Sequence, residues 1–207
     1  MDRPILITAG ATRNPIDSMR SITANSSGAT GVHISQELQN NGRTSTLMGS
    51  NVALLQPNCP SQCIEFTSTR DLLAKMKAWT LQHPVGIIVH TAAVGDFEVR
   101  ETNLGKISSG SAFTLNLQPT PKIVDHVKRW SPNIRLVSFK AAAPKTPAEE
   151  LKQIAFKQLQ RTQSNLVFAN VLGKIEENVL LLSNDGSQWF QKRQDGLDAL
   201  IEAILEW

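Results

Sequence analysis

The order of apolar runs predicts an α/β fold: a Rossmann-like, doubly wound, mostly parallel sheet with a long strand-containing insertion and a C-terminal hairpin plus helix. Three observations carry this reading. Short β-rich runs alternate with segments of helical period. One run, VGIIVHTAAV, is continuously apolar, as expected of a central strand buried on both faces. No repeat or low-complexity linker divides the 207 residues, so residues 1–207 read as a single domain.

In order, PILITAG is a first strand ending in small residues, and ATRNPIDSMR, whose Pro and Asp deny it a helical period, reads as a long loop. From Thr30, TGVHISQELQNNG places Val32, Ile34 and Leu38 among polar residues and stops at Gly42, which predicts a helix with a glycine exit. RTSTLMGS is the second strand. TSTRDLLAKMKAWTLQH, with its Thr/Ser cap and Leu72, Leu73, Met76 and Trp79, is the second helix. After the central run comes GDFEVRETNLGKISSGSAFTLNLQPTP, too long for a simple turn, in which AFTLNL alternates with period two and predicts a strand outside the parallel set. PKIVDHVKRW predicts a helix with Pro at its first position, IRLVSF a buried strand, and TPAEELKQIAFKQLQR a helix with acids early and bases late. NLVFAN is the next strand, NVLLLS and QWFQ form a hairpin across NDGS, and LDALIEAILEW is the closing helix.

Composition narrows the function classes. A net charge of +3 and the lack of a basic stripe interleaved with aromatics argue against nucleic acid. No apolar run approaches the roughly 18 residues of a membrane span, and the start does not read as a signal peptide, so a cytoplasmic setting is expected. Cys59 and Cys63 are too few for a zinc site and read as ordinary loop thiols. The turn after the first strand lacks a dinucleotide fingerprint, and the chain has no tyrosine for a Tyr-Lys reductase pair.

In a doubly wound sheet, ligands sit at the carboxyl ends of the strands. The loop SSGATG stands at such an end, with Gly28 and Gly31 for close backbone approach and the hydroxyls of Ser26 and Ser27 as donors. Two readings fit it, an anion-holding loop and a plain helix cap. Asp96, beyond the central strand, reads either as a turn residue or as a carboxylate that accepts from a sugar or base or helps to hold a metal. Lys106, Lys122, Lys140 and the pair Lys157 and Arg161, four apart on one helix face, share an address at strand ends or in the insertion.

Taken together, ITAGATRNPIDSMRSI, NSSGATG, AAVGDF, GKISSG, TPKIV, SFK and LVFAN stand in the order seen in the phosphopantothenoylcysteine synthetase family. The chain resembles a stand-alone member, without a fused flavin-dependent decarboxylase, over nearly its whole length. The resemblance implies a coenzyme A biosynthesis ligase. CTP or ATP, with Mg²⁺, would activate the carboxylate of 4′-phosphopantothenate as an acyl-nucleotide, which the amine of cysteine then attacks. It implies that Asn25, Lys106 and Asp96 carry the chemistry. Gly10, Ser26, Gly28 and Gly31 would hold the nucleotide, with Ala92, Ala93 and Asp96 on its ribose or base side and Phe139 near the base. Lys106, Lys140, Lys157 and Arg161 would meet its phosphates, Asn170 would face the substrate, and no metal is held by protein ligands alone. A homodimer is implied, with the insertion near the partner subunit. Three departures stand out. The family's Asn falls in register on Ala24, with Asn25 one place late, so either the loop shifts or the second half-reaction is lost. Ala11 replaces a glycine, and FKAAAPK lacks the acidic residue usual after FK.

Overall fold

In the computed structural model, which describes residues 3–60 and 62–207, the first apolar run forms β1 (Ile5–Ala9), buried at every position. A hairpin of β2 (Arg13–Pro15) and β3 (Ser21–Thr23) follows, then α1 (Ala29–Asn40) and β4 (Thr46–Gly49). The one-turn helix α2 (Asn51–Leu54) leads to the short strand β5 (Cys63–Glu65), and α3 (Thr69–Gln82) returns the chain to β6 (Ile87–His90). The insertion contributes a second hairpin, β7 (Phe97–Val99) with β8 (Leu117–Pro119). A 3-10 turn over Ile123–Asp125, the short α4 (Val127–Trp130), β9 (Arg135–Ala142), α5 (Ala148–Thr162) and β10 (Leu166–Val171) come next. The last elements are β11 (Glu177–Leu182), β12 (Ser187–Lys192) and α6 (Arg193–Leu205).

The main sheet has eight strands in the order β12-β11-β10-β9-β6-β1-β4-β5. The strands from β10 to β5 pair in parallel, and β11 and β12 add an antiparallel edge. In chain order the parallel strands follow the 3-2-1-4-5-6 winding, which reverses between β1 and β6, where a ligand crevice is expected. The segments leaving β1 and β6 stay zipped just past the sheet: Thr12 N–H donates to Ala93 O at 3.1 Å and Ala93 N–H to Gly10 O at 2.8 Å.

The period-two alternation of β1 divides the core. Ile5, Ile7 and Ala9 pack with Val32, Ile34 and Leu38 of α1 and with Leu200, Ile201 and Ile204 of α6. Leu6 points the other way, among Leu72, Met76 and Trp79 of α3. α5 lays Leu151, Ala155 and Leu159 on Val167, Ala169 and Leu180. Each such large side chain, fully buried, contributes about 1.5–3 kcal/mol. Ser68 caps α3 by accepting from Asp71 N–H, and Glu149 and Glu150 occupy the first turn of α5 while Arg161 lies in its last.

Several segments differ from the sequence reading. ATRNPIDSMR holds the first strand and the turn of a hairpin rather than a plain loop, because the Asp17 carboxylate accepts from Met19 N–H at 2.8 Å and Arg20 N–H at 2.7 Å and so closes the turn. The strand expected over AFTLNL lies later, at Leu117–Pro119, since its partner Phe97–Val99 offers only three residues of register. PKIVDHVKRW splits into a 3-10 turn and a one-turn helix. Its start is held to the insertion: Lys122 Nζ sits on Asp96 Oδ1 at 2.5 Å, and just before it Thr120 Oγ1 donates to Gly95 O at 2.6 Å. Cys63 opens the edge strand β5 instead of lying in a loop, and its sulfur sits 3.3 Å from that of Cys59, both thiols being free. The closing helix begins earlier, at Arg193.

His90 ends β6 fully buried, its Nδ1 2.8 Å from Thr8 Oγ1, and burial pushes its pKa down from 6.5 to about 4. The unfolded chain binds a proton there that the folded chain refuses. Stability held above about pH 6.5 should therefore fall as the pH drops toward 4, by on the order of 3 kcal/mol from this group alone. Urea unfolding across that range should show the loss, and His90→Gln should flatten the slope.

Candidate functional site

Three loops meet at the carboxyl ends of β1 and β4. They are Gly10–Thr12 after β1, Ala24–Gly28 before α1, and Ser50 after β4, where Asn51 and Val52 begin α2. They enclose a cavity of about 540 Å³ lined by Ala11, Arg13, Thr23, Ala24, Asn25, Ser26, Ser27, Ser50, Asn51 and Val52. Among these lining residues Arg13 is the only charged one, so the wall presents a cation, hydroxyls and amides and no carboxylate. A second cavity of about 290 Å³ continues from it, sharing Ala11, Arg13, Ser50 and Asn51 and running past Asp17 and Arg20 to Thr67.

Close packing dictates the glycines of this junction. Gly28, at φ +84°, is the N-cap of α1, and a Cβ there would lie 2.4 Å from Ala53 Cβ and 2.9 Å from Gly10 N. Gly31, one turn on, brings α1 onto β1, where a Cβ would lie 2.7 Å from Ala9 Cβ and 3.2 Å from Thr8 O. The helix thus starts directly over the end of β1. Its N-cap supplies no side-chain bond, and Ser27 Oγ accepts only a long 3.4 Å bond from Ala29 N–H, so the first turn keeps amide donors for an anion.

The structure brings some of the expected residues here and places others apart. Asn25 and Ser26 line the cavity, Gly10 and Gly28 pack at its base, and Gly31 is buried behind it. Ala92 N–H donates to Thr8 Oγ1 at 3.2 Å, and Ala93 is the residue zipped to Gly10. Asp96 is exposed and paired with Lys122. Phe139 stacks on Phe168, centroids 4.9 Å apart, beside a half-buried Lys140. Asn170, at the end of β10, accepts from Arg193 Nη1 at 3.5 Å. Lys106 is exposed in the insertion, between Gly105 and Ile107. Lys157 lies elsewhere, in a groove of about 340 Å³ with Lys152, Phe156 and Leu182, and the Arg161 guanidinium is taken by Asp125. The helix face that carries these two cations is turned to that groove and to Asp125, not to the cavity.

Sequence reasoning did not assign Arg13, Ser50, Asn51 or Arg193. Ser50 and Asn51 follow a parallel strand, so the rule that ligands gather at carboxyl ends marks them. Arg193 is visible only in three dimensions. It opens α6, donates to Thr30 Oγ1 at 3.2 Å and lies over the Phe168 ring at 5.2 Å.

With the geometry in place, comparison with known proteins places the chain. The family model described as the DNA/pantothenate metabolism flavoprotein C-terminal domain matches residues 1–205. The chain belongs to this family. The Coenzyme A biosynthesis bifunctional protein CoaBC of Thermococcus kodakarensis is 39% identical over 184 residues, covering 87% of this chain and 45% of that protein. The protein of the same name from Vibrio vulnificus is 30% identical over 173 residues, 82% of this chain and 41% of its own length. The chain therefore spans less than half the length of these relatives. In three dimensions it matches the DNA/pantothenate metabolism flavoprotein from Streptococcus pneumoniae with a TM-score of 0.86 at 29% identity, over 99% of both chains. The C-terminal domain of a CoaBC protein shares the fold, with a TM-score of 0.77 at 24% identity, over 100% of this chain and 96% of that one. The expected Rossmann-like, mostly parallel fold and the family resemblance both hold.

Because Arg13 is the cavity's one charged wall residue and is itself exposed, its role separates cleanly from folding. Arg13→Ala should weaken binding of inorganic triphosphate by about 10-fold, the loss of one charge-assisted contact, without moving the thermal midpoint. Calorimetry and thermal unfolding on the same variant check this.

Proposed function

We propose that the chain is the ligase of coenzyme A biosynthesis that joins 4′-phosphopantothenate to cysteine at the expense of CTP or ATP. The observation that carries the proposal is the cavity at the end of β1, whose wall brings Ser26, Ser27 and Arg13 together with Asn25 and runs directly into the start of α1. Family membership and the names of the relatives support the same chemistry. In the first step a carboxylate oxygen of 4′-phosphopantothenate bonds to the α-phosphorus of the nucleotide, and pyrophosphate leaves. In the second the cysteine nitrogen bonds to the acyl carbon, nucleoside monophosphate leaves with the C–O electron pair, and the nitrogen gives up a proton.

Each residue has a distinct part in this reading. The first-turn amides of α1, Ser26 and Arg13 take triphosphate oxygens, with Mg²⁺ entering as the counter-ion of the nucleotide. Phe139 offers a face to the base, and Ala92, Ala93 and Asp96 form the edge beside it. Lys106 meets charge that builds on the transferring phosphate, and Asn170 faces the substrate. Asn25 donates to the acyl oxygen during the second step, the role that Ala24 has no side chain to fill. A homodimer suits the insertion, which leaves Phe97, Leu104, Phe113 and Leu117 exposed.

A second reading follows from Ala24: a nucleotide-binding relative that forms the acyl-nucleotide and stops. Incubation with 4′-phosphopantothenate, cysteine and CTP or ATP decides between them. Amide product is expected with one of the two nucleotides, and a trapped acyl-nucleotide without amide supports the second reading. Asn25→Ala should slow amide formation by on the order of 100-fold or more while acyl-nucleotide still accumulates, as the loss of one oxyanion donor requires. An Asn25→Ala chain with unchanged turnover contradicts the assignment.

A further inference from the structure

The loop that carries Lys106 has few attachments. Residues 101–106 are all exposed, and Ile107 is only half-buried. Among the described residues, every hydrogen bond from residues 103–107 to the rest of the chain ends on the turn between β2 and β3. Asn103 N–H donates to Ile16 O at 3.1 Å, and Ser18 N–H donates to Gly105 O at 3.4 Å. The peptide groups of Ile107 are held from both sides. Its N–H donates to Asp17 Oδ2 at 3.1 Å, and its carbonyl accepts from Arg20 Nη2 at 2.9 Å. Asp17 also orders its partner, since its Oδ2 lies 3.6 Å from Arg20 Nη1 while its Oδ1 accepts the Met19 and Arg20 amides.

Asp17 is nearly inaccessible, at 5% exposure, and the Met19 N–H, with help from the Ile107 and Arg20 amides and the Arg20 charge, holds its carboxyl below the usual range despite that burial. It therefore stays ionised and accepts at both oxygens. The turn it closes is the turn of the β2–β3 hairpin, and β3 runs straight into Ala24–Ser27 of the cavity wall. One carboxylate thus fixes the hairpin that leads to the cavity and grips the residue next to Lys106. A side chain so placed determines where the lysine starts from.

We infer that Asp17 is a positioning residue for the ligase reaction, holding Lys106 in register with the cavity through the peptide of Ile107. This rests on the functional reading above, in which Lys106 meets the transferring phosphate. The isosteric change Asp17→Asn isolates the grip. Its oxygen still accepts the two turn amides, but its NH₂ cannot accept from Ile107 N–H, and the attraction to Arg20 is gone.

The test compares the wild type, Asp17→Asn, Lys106→Ala and the double variant in single-turnover formation of acyl-nucleotide, with nucleotide affinity measured separately. Asp17→Asn should slow the chemical step by on the order of 100-fold, the cost of misplacing a reacting group by about 1 Å, while nucleotide affinity stays within about twofold. The double variant should be no slower than Lys106→Ala, because both changes remove one unit. Multiplicative losses in the double variant, or an Asp17→Asn chain at wild-type rate beside a slow Lys106→Ala, overturn the inference and leave the ligase reading standing. A Lys106→Ala chain at wild-type rate removes Lys106 from the ligase reading and the inference with it. Hydrogen exchange in the wild-type chain needs no variant to fold. Protection of the Ile107 amide relative to those of Ser108 and Ser109 supports the grip, and equal exchange overturns it.

Discussion

The close seating of α1 on the end of β1 is the constraint from which the rest of the structure follows. Gly31 lets the helix approach until its backbone all but touches Ala9, and Gly28 lets the entry loop turn under it against Gly10 and Ala53. Any side chain at either position meets atoms closer than van der Waals contact allows. What this tight junction yields is direction. The uncapped first turn of α1 follows directly on Ala24–Ser27 of the cavity wall, so the partial positive charge of the helix end adjoins a wall that also carries the full charge of Arg13. The cavity is a consequence of how a helix packs on a strand, with hydroxyls and an arginine on its wall.

The insertion obeys a different logic. Its root is firmly held: Asn14 Nδ2 donates to Phe97 O at 2.9 Å, and buried Glu98 takes Arg70 and Gln118. Its tip rests on the turn that Asp17 closes. A firmly held base under a lightly tethered tip leaves Lys106 exposed while the peptide of its neighbour Ile107 is gripped. Phe97, Phe113 and Leu117 on the same hairpin stay exposed.

Much of this was legible in the residues, for reasons that can be named. The continuous run through Ile87–His90 and the glycine exit of α1 are local signals, and both elements lie where the pattern puts them. The capped start of α3 and the charged ends of α5 are equally local. The β2–β3 hairpin was not legible, because its strands are three residues long and are fixed by one carboxylate instead of an apolar alternation. AFTLNL misled for the opposite reason. It has the alternation, but Phe113 and Leu117 have no core to enter. At the site, Asn25, Ser26, Gly10 and Gly28 could be placed from the loop motif and the strand-end rule. Arg13 needed the third dimension, Ser50 was marked by its place after a parallel strand, and the four-residue spacing of Lys157 and Arg161 gave a shared helix face without saying what that face meets.

The most direct test of the account follows backbone amide NMR signals while CTP or ATP, with Mg²⁺, is added to the whole chain. The packing of α1 on β1 predicts that the largest shifts fall on Gly10 and on the run from Ser26 through Gly31. Shifts confined to the groove beside Lys152 and Phe156, or spread evenly without saturation, would contradict it.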